Sequence, residues 1–94
     1  MITIVMAEDH QMLIDGVQSF FEYDDAVDII GTVNNGEDLV KLVRLKQPKL
    51  VITDIRMPRM DGIEATKVIK KEFPHIYVLA LTCLLYTSPS PRDS

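Results

Sequence analysis

The sequence has one cysteine, no tryptophan and only four glycines, and no apolar run approaches the roughly 20 residues that cross a bilayer. With Cys83 alone, an internal disulfide and a cysteine-based zinc cage are both excluded, in keeping with a reducing cytoplasm. Basic residues are few and scattered: ten Lys and Arg stand against fourteen Asp and Glu, for a formal charge of -4. That balance leaves no electrostatic footprint for nucleic acid, so this chain by itself is not expected to bind DNA. A secretory signal is not expected either. The apolar opening Ile2 to Ala7 lacks a basic flank, is shorter than a signal core and runs straight into Glu8-Asp9. What remains is a chain of 94 residues, 47% hydrophobic and 26% charged, which suits one globular domain with a modest core.

The apolar residues are arranged in short runs separated by helical patterns. Ile2 to Ala7, Leu50 to Thr53 and Tyr77 to Leu81 lack the alternation of half-exposed strands, and read as parallel strands covered on both faces. Val27 to Val33 is more mixed and reads as a strand nearer a sheet edge. Between them, Leu13, Val17, Phe20 and Phe21 recur at helical spacing. A second helix starts at Asn34-Asn35-Gly36, carries Glu37 and Asp38 in its first turn, turns Leu39, Val40 and Val43 inward, and stops before Pro48. A third runs from Gly62 to Phe73, with Ala65, Val68, Ile69 and Phe73 inward and Pro74 as its stop. The order β-α-β-α-β-α-β with right-handed crossovers predicts an α/β doubly wound parallel sheet.

Two apolar runs end in acid. Glu8-Asp9 follows Ala7 and Asp54 follows Thr53, so both groups fall at the carboxyl ends of strands, where open parallel sheets build ligand sites. Two carboxylates about 4 Å apart repel by roughly 4 kcal/mol at an effective dielectric near 20, so such a cluster calls for a cation or a shifted pKa. A hard divalent metal with a phosphoryl group is the natural guest. Taken singly, Asp54 or Glu8-Asp9 reads as a cap or a solvated turn; together, at two strand ends, they read as a site. His10 reads as a polar residue opening the first helix rather than a ligand, and His75 as a solvated loop residue. Met12, Met57 and Met60 read as packing residues.

Glu8-Asp9-His10, the run Asp54-Ile55-Arg56-Met57-Pro58-Arg59-Met60-Asp61-Gly62 and Leu79-Ala80-Leu81-Thr82 together resemble the receiver domain of bacterial response regulators, over residues 1 to 82. The opening, with Leu13 and Gly16, is similar to the NarL/FixJ subfamily, whose receivers precede a LuxR-type helix-turn-helix output domain. The resemblance implies a flavodoxin-like receiver fold, and a signalling module rather than an enzyme. Asp54 would take a phosphoryl group from a sensor histidine kinase, and Thr82 would contact the phosphate. Glu8, Asp9, Asp54 and the backbone carbonyl of Arg56 would hold Mg²⁺. In the complete parent protein this would control transcription in the cytoplasm, with a homodimer on phosphorylation and DNA contacted only by an output domain outside this chain.

Departures from the family pattern are as definite as the matches. The last lysine is Lys71, so the lysine that receivers carry at the end of a fifth strand has no counterpart. The fourth helix, fifth strand and fifth helix are missing too, which makes the expected fold incomplete. Three of the four serines lie among the last seven residues, beside Pro89 and Pro91, and the stretch from Cys83 to Ser94 resembles translated adapter or vector sequence. The expected division is a partial receiver domain at 1–82 and a non-native or disordered tail at 83–94. Two other functions stay open. An aspartyl phosphohydrolase of the haloacid-dehalogenase kind needs an acid two residues after its nucleophile, where this chain has Arg56, which cannot give up a proton. A phosphorylation-independent interaction domain, or an inactive fragment, is kept open by the missing lysine.

Overall fold

The computed structural model describes residues 1–81, in which four parallel strands alternate with three helices. They are β1 (Ile2–Ala7), α1 (Gln11–Phe21), β2 (Val27–Val33), α2 (Gly36–Lys46), β3 (Leu50–Thr53), α3 (Gly62–Glu72) and β4 (Tyr77–Ala80). The strand order is β2-β1-β3-β4. The chain leaves β1 toward β2 on one side and later returns to β3 on the other. Such a reversal opens a crevice at the carboxyl ends of the two central strands. In register, Ala7 lies beside Thr53, so the residues that follow each of them emerge as neighbours.

Alternate side chains of the central strands enter two separate cores. Val5, Ala7 and Val51 pack with Leu39, Val40, Val43, Ala65 and Ile69 beneath α2 and α3. Ile4, Met6 and Ile52 pack with Ile14 and Leu81 on the α1 side. Continuous apolar runs in β1 and β3 are thereby explained, because both faces of these strands are covered. β2 is an edge strand, as its mixed pattern indicates.

Two sequence expectations need correction. Phe20, counted with the periodic face of α1, is 80% exposed, whereas Ile14 is the buried residue of that helix. The single stripe of α1 faces a sheet too narrow, within the described residues, to cover both of its flanks. β4 is likewise open rather than covered on both faces. Among the described residues it is the other edge strand, with Tyr77 and Leu79 exposed and Val78 packed against the core beneath α2 and α3.

Candidate phosphoacceptor site

The site grows out of the ends of β1 and β3. The Glu8 N–H donates to the Val33 carbonyl (2.9 Å) and the Asp54 N–H to the Ala7 carbonyl (2.8 Å), continuing the strand ladder one residue past each strand. Both acids are thereby held on rigid backbone. Glu8 is fully buried and Asp54 is 5% exposed. Asp54 Oδ1 accepts the Ile55 N–H at 2.7 Å, and no hydrogen bond to Oδ2 is formed among the described residues. Asp54 is thus not a helix cap. It is a fixed carboxylate with one oxygen held and the other available.

Glu8 is more unusual. Its Oε2 accepts the backbone N–H of His10 (2.9 Å) and lies 2.7 Å from His10 Nδ1, while Oε1 has no hydrogen-bond partner among the described residues. A buried carboxylate oxygen without a partner carries a large desolvation cost, which a cation or a donor would relieve. By hydrogen bond and charge, Glu8 raises the His10 imidazole above its usual 6.5; partial burial opposes this, and the charges of Asp9 and Asp54 add to it. His10 does open α1, as its N-cap residue, but its side chain makes no cap bond and turns to Glu8 instead.

One donor atom each from Glu8, His10 and Asp54 lie within 4.8 Å of one another. The structure therefore brings Glu8 and Asp54 together and adds His10, the residue that sequence reasoning had assigned to the helix start alone. Asp9 is exposed and falls outside that trio. Arg56 is an exposed residue of the loop after Asp54. Thr82 and Cys83 lie outside the described residues.

The loop after Asp54 is clamped from two sides. Gly62 N–H donates to the Ile55 carbonyl at 2.7 Å, and a Cβ at Gly62 would come within 2.0 Å of the Asp54 carbonyl oxygen. Gly36 N–H donates to the Met60 carbonyl at 2.8 Å, where a Cβ would meet that oxygen at 2.1 Å. No side chain fits at either position. Asp61 caps α3 by accepting the Glu64 N–H, and the buried Asn35 caps α2 by accepting the Asp38 N–H, both at 2.8 Å. Arg59, in a left-handed conformation at φ 68°, reaches Glu37 and Asp38 at the start of α2. The motif beginning at Asp54 is therefore fastened both to α2, which precedes it in the chain, and to α3, which follows it. The contact of Gly36 with Met60 joins residues far apart in the chain, and no local sequence signal marks it.

Comparison with known proteins settles the affiliation of this arrangement. The profile of the response regulator receiver domain matches residues 4–87. The chain belongs to the response regulator receiver family. It is 33% identical over 81 residues to the response regulator protein VraR of Staphylococcus saprophyticus, covering 86% of this chain and 39% of that protein. It is 34% identical over 82 residues to the transcriptional regulatory protein LnrK of Bacillus subtilis, covering 87% of this chain and 37% of that one. The chain thus spans about two fifths of the length of these curated relatives. Among solved structures, a LuxR-family DNA-binding response regulator from Staphylococcus aureus superimposes with a TM-score of 0.78 at 31% identity, over 85% of this chain and 67% of that one. The non-phosphorylated receiver domain of the Escherichia coli stress regulator RcsB gives 0.79 at 27%, over 87% of this chain and 65% of that one. The described residues form a flavodoxin-like receiver with four strands and three helices, and the relatives are response regulators. No helix of the described residues is long and apolar enough to cross a membrane.

Proposed function

We propose that this receiver takes a phosphoryl group on Asp54 from the phosphohistidine of a sensor histidine kinase. The observation that carries the reading is the pairing, at the ends of adjacent strands, of buried Asp54 with buried Glu8, whose Oε1 is left without a partner. Asp54 Oδ2 would form the new bond to phosphorus as the phosphorus–nitrogen bond of the donor breaks, leaving neutral histidine. With Oδ1 held by the Ile55 N–H, the nucleophile is aligned before the donor arrives, and alignment supplies much of what this reaction needs.

The donor set fits Mg²⁺, since a carboxylate oxygen of Glu8 and one of Asp54 lie within 4.8 Å of each other and Glu8 Oε1 has no hydrogen-bond partner among the described residues. Glu8, Asp9, Asp54 and the Arg56 carbonyl would hold it, with Thr82 contacting the phosphate. Bound there, the cation neutralises charge on the phosphoryl oxygens. The exposed position of Asp9 suits a ligand acting through water. In a longer parent protein, the new charge would bias a two-state surface that controls dimerisation and a DNA-binding output domain, in the cytoplasm. Residues 1–82 are the receiver portion in this reading and 83–94 a tail foreign to it.

Incubation with Mg²⁺ and acetyl phosphate, followed by intact-mass measurement, tests the assignment. One hydroxylamine-sensitive phosphate is expected, absent in Asp54→Asn. Phosphate on serine or threonine would overturn the assignment, and no incorporation at all would favour a phosphorylation-independent interaction domain.

A further inference from the structure

We propose that Thr53 is a positioning residue for the Asp54 carboxylate, acting through the peptide bond that joins Asp54 to Ile55. Thr53 ends β3 and is buried. Its hydroxyl donates to the Asp54 carbonyl oxygen at 2.9 Å, and no other hydrogen bond to that oxygen is formed among the described residues. The N–H of the same peptide, that of Ile55, donates to Asp54 Oδ1 at 2.7 Å. Both ends of one peptide are therefore engaged, the oxygen by the residue before Asp54 and the N–H by the Asp54 side chain itself.

A trans peptide group is planar, so its C=O and N–H point in opposite directions and cannot be turned separately. A hydroxyl that holds the oxygen thus aims the N–H, and the N–H in turn holds Oδ1 and leaves Oδ2 free. Gly62 limits rotation of the same plane, since its backbone comes so close that a Cβ there would stand 2.0 Å from the Asp54 carbonyl oxygen. Its own N–H donates to the Ile55 carbonyl at 2.7 Å, which fixes the next peptide. A buried oxygen deprived of its donor carries a desolvation cost, and the plane would turn to find another partner, taking the Ile55 N–H with it. Threonine suits this place because its β-branched side chain fits a strand while its hydroxyl stays within reach of the following carbonyl. The consequence for phosphoryl transfer rests on the phosphoacceptor reading, whereas the hold of Thr53 on the peptide does not.

The test compares the full chain with Thr53→Val, which keeps the shape of the side chain and its preference for a strand but lacks the hydroxyl, and with Thr53→Ser, which keeps the hydroxyl. Initial rates of phosphate uptake at Asp54 are followed by intact mass with Mg²⁺ over a range of acetyl phosphate concentrations. Thr53→Val should lower the maximal rate by about tenfold and change the half-saturating concentration by less than about twofold, because the donor still binds and only the aim of the nucleophile is lost. Thr53→Ser should recover the parent rate to within about threefold. In ¹H–¹⁵N spectra taken without a phosphodonor, the Ile55 amide should move upfield in Thr53→Val and exchange with solvent about tenfold faster, and Thr53→Ser should restore it. A hydroxyl that served only the packing of β3 would, when removed, lower stability and leave both the Ile55 amide and the maximal rate in place. That result would overturn the proposal, as would a Thr53→Ser chain no better than Thr53→Val. If the parent chain takes up no phosphate, the phosphoacceptor reading fails, and the Ile55 amide alone decides whether Thr53 holds the peptide.

Discussion

The two faces of the sheet are built from the same strands and yet are finished differently. Under α2 and α3, nine apolar residues form a closed core, and Arg44 of α2 bonds Glu72 of α3 over it. On the α1 side, among the described residues, one helix covers the centre only. Met12, Phe20 and Leu79 are 86%, 80% and 55% exposed around a groove of about 420 Å³. The difference shows that closure depends on how many helices lie across a face, not on the strands, since β1 is buried throughout its second half on either side. It also locates the candidate site. Asp54 and the loop after it are fastened to the closed face through Gly36 and Gly62, so the chemistry rests on the better-packed half of the molecule.

The comparison is most directly broken by truncation. Leu39→Ala, on the closed face, should cost about 2 to 5 kcal/mol, because a fully buried side chain leaves a cavity, whereas Phe20→Ala should stay within about 0.5 kcal/mol. Urea denaturation followed by circular dichroism measures both, and equal losses would mean that the α1 face is as closed as the other. Gly62→Ala should come next, at about 1 to 3 kcal/mol for the backbone movement it forces. Because the displaced atom is the Asp54 carbonyl, this substitution should also depress phosphorylation by acetyl phosphate, an effect not expected of Phe20→Ala.

The open face can be sharpened by charge. Among the described residues, β4 is an edge strand with an apolar exposed surface, a combination that recruits other chains, so the chain should self-associate. Phe20→Lys with Leu79→Lys should shift it toward monomer in sedimentation velocity. A parent chain that is monomeric at high concentration would show the face to be satisfied after all.

The smallest effect belongs to the bridge across the closed face. Arg44 lowers the Glu72 carboxyl pKa, by hydrogen bond and charge, so its folded value lies below the ordinary 4.5. The stability this supplies is present above that ordinary value and is lost as pH falls through the lowered one. Glu72→Gln should flatten only that acid limb of the stability curve, and slightly, because both side chains are well exposed to solvent. A change confined to neutral pH would assign the acid limb to other carboxylates.

Much of this was legible in the residues themselves. The four strands and the helices α2 and α3 fall within a residue or two of their expected ends, because continuous apolar runs, the Asn34-Asn35-Gly36 turn, and Pro48 and Pro74 as stops are local signals. The positions of Glu8 and Asp54 at adjacent strand ends followed from the same runs. The site was legible only in part. Asp9 is expected beside Glu8 and His10 only at the helix start, and nothing local signals that the His10 side chain turns back to Glu8.

The sequence by itself determined the alternation of elements, the placing of acids at two strand ends and the family, since each rests on residue type and spacing along one stretch of chain. Tertiary structure alone decided that His10 rather than Asp9 turns to Glu8, that Phe20 faces solvent while Ile14 is buried, and that Gly36 must admit the Met60 carbonyl. These depend on which surfaces meet across the fold, and side-chain direction and close approach are properties of that meeting rather than of any one segment.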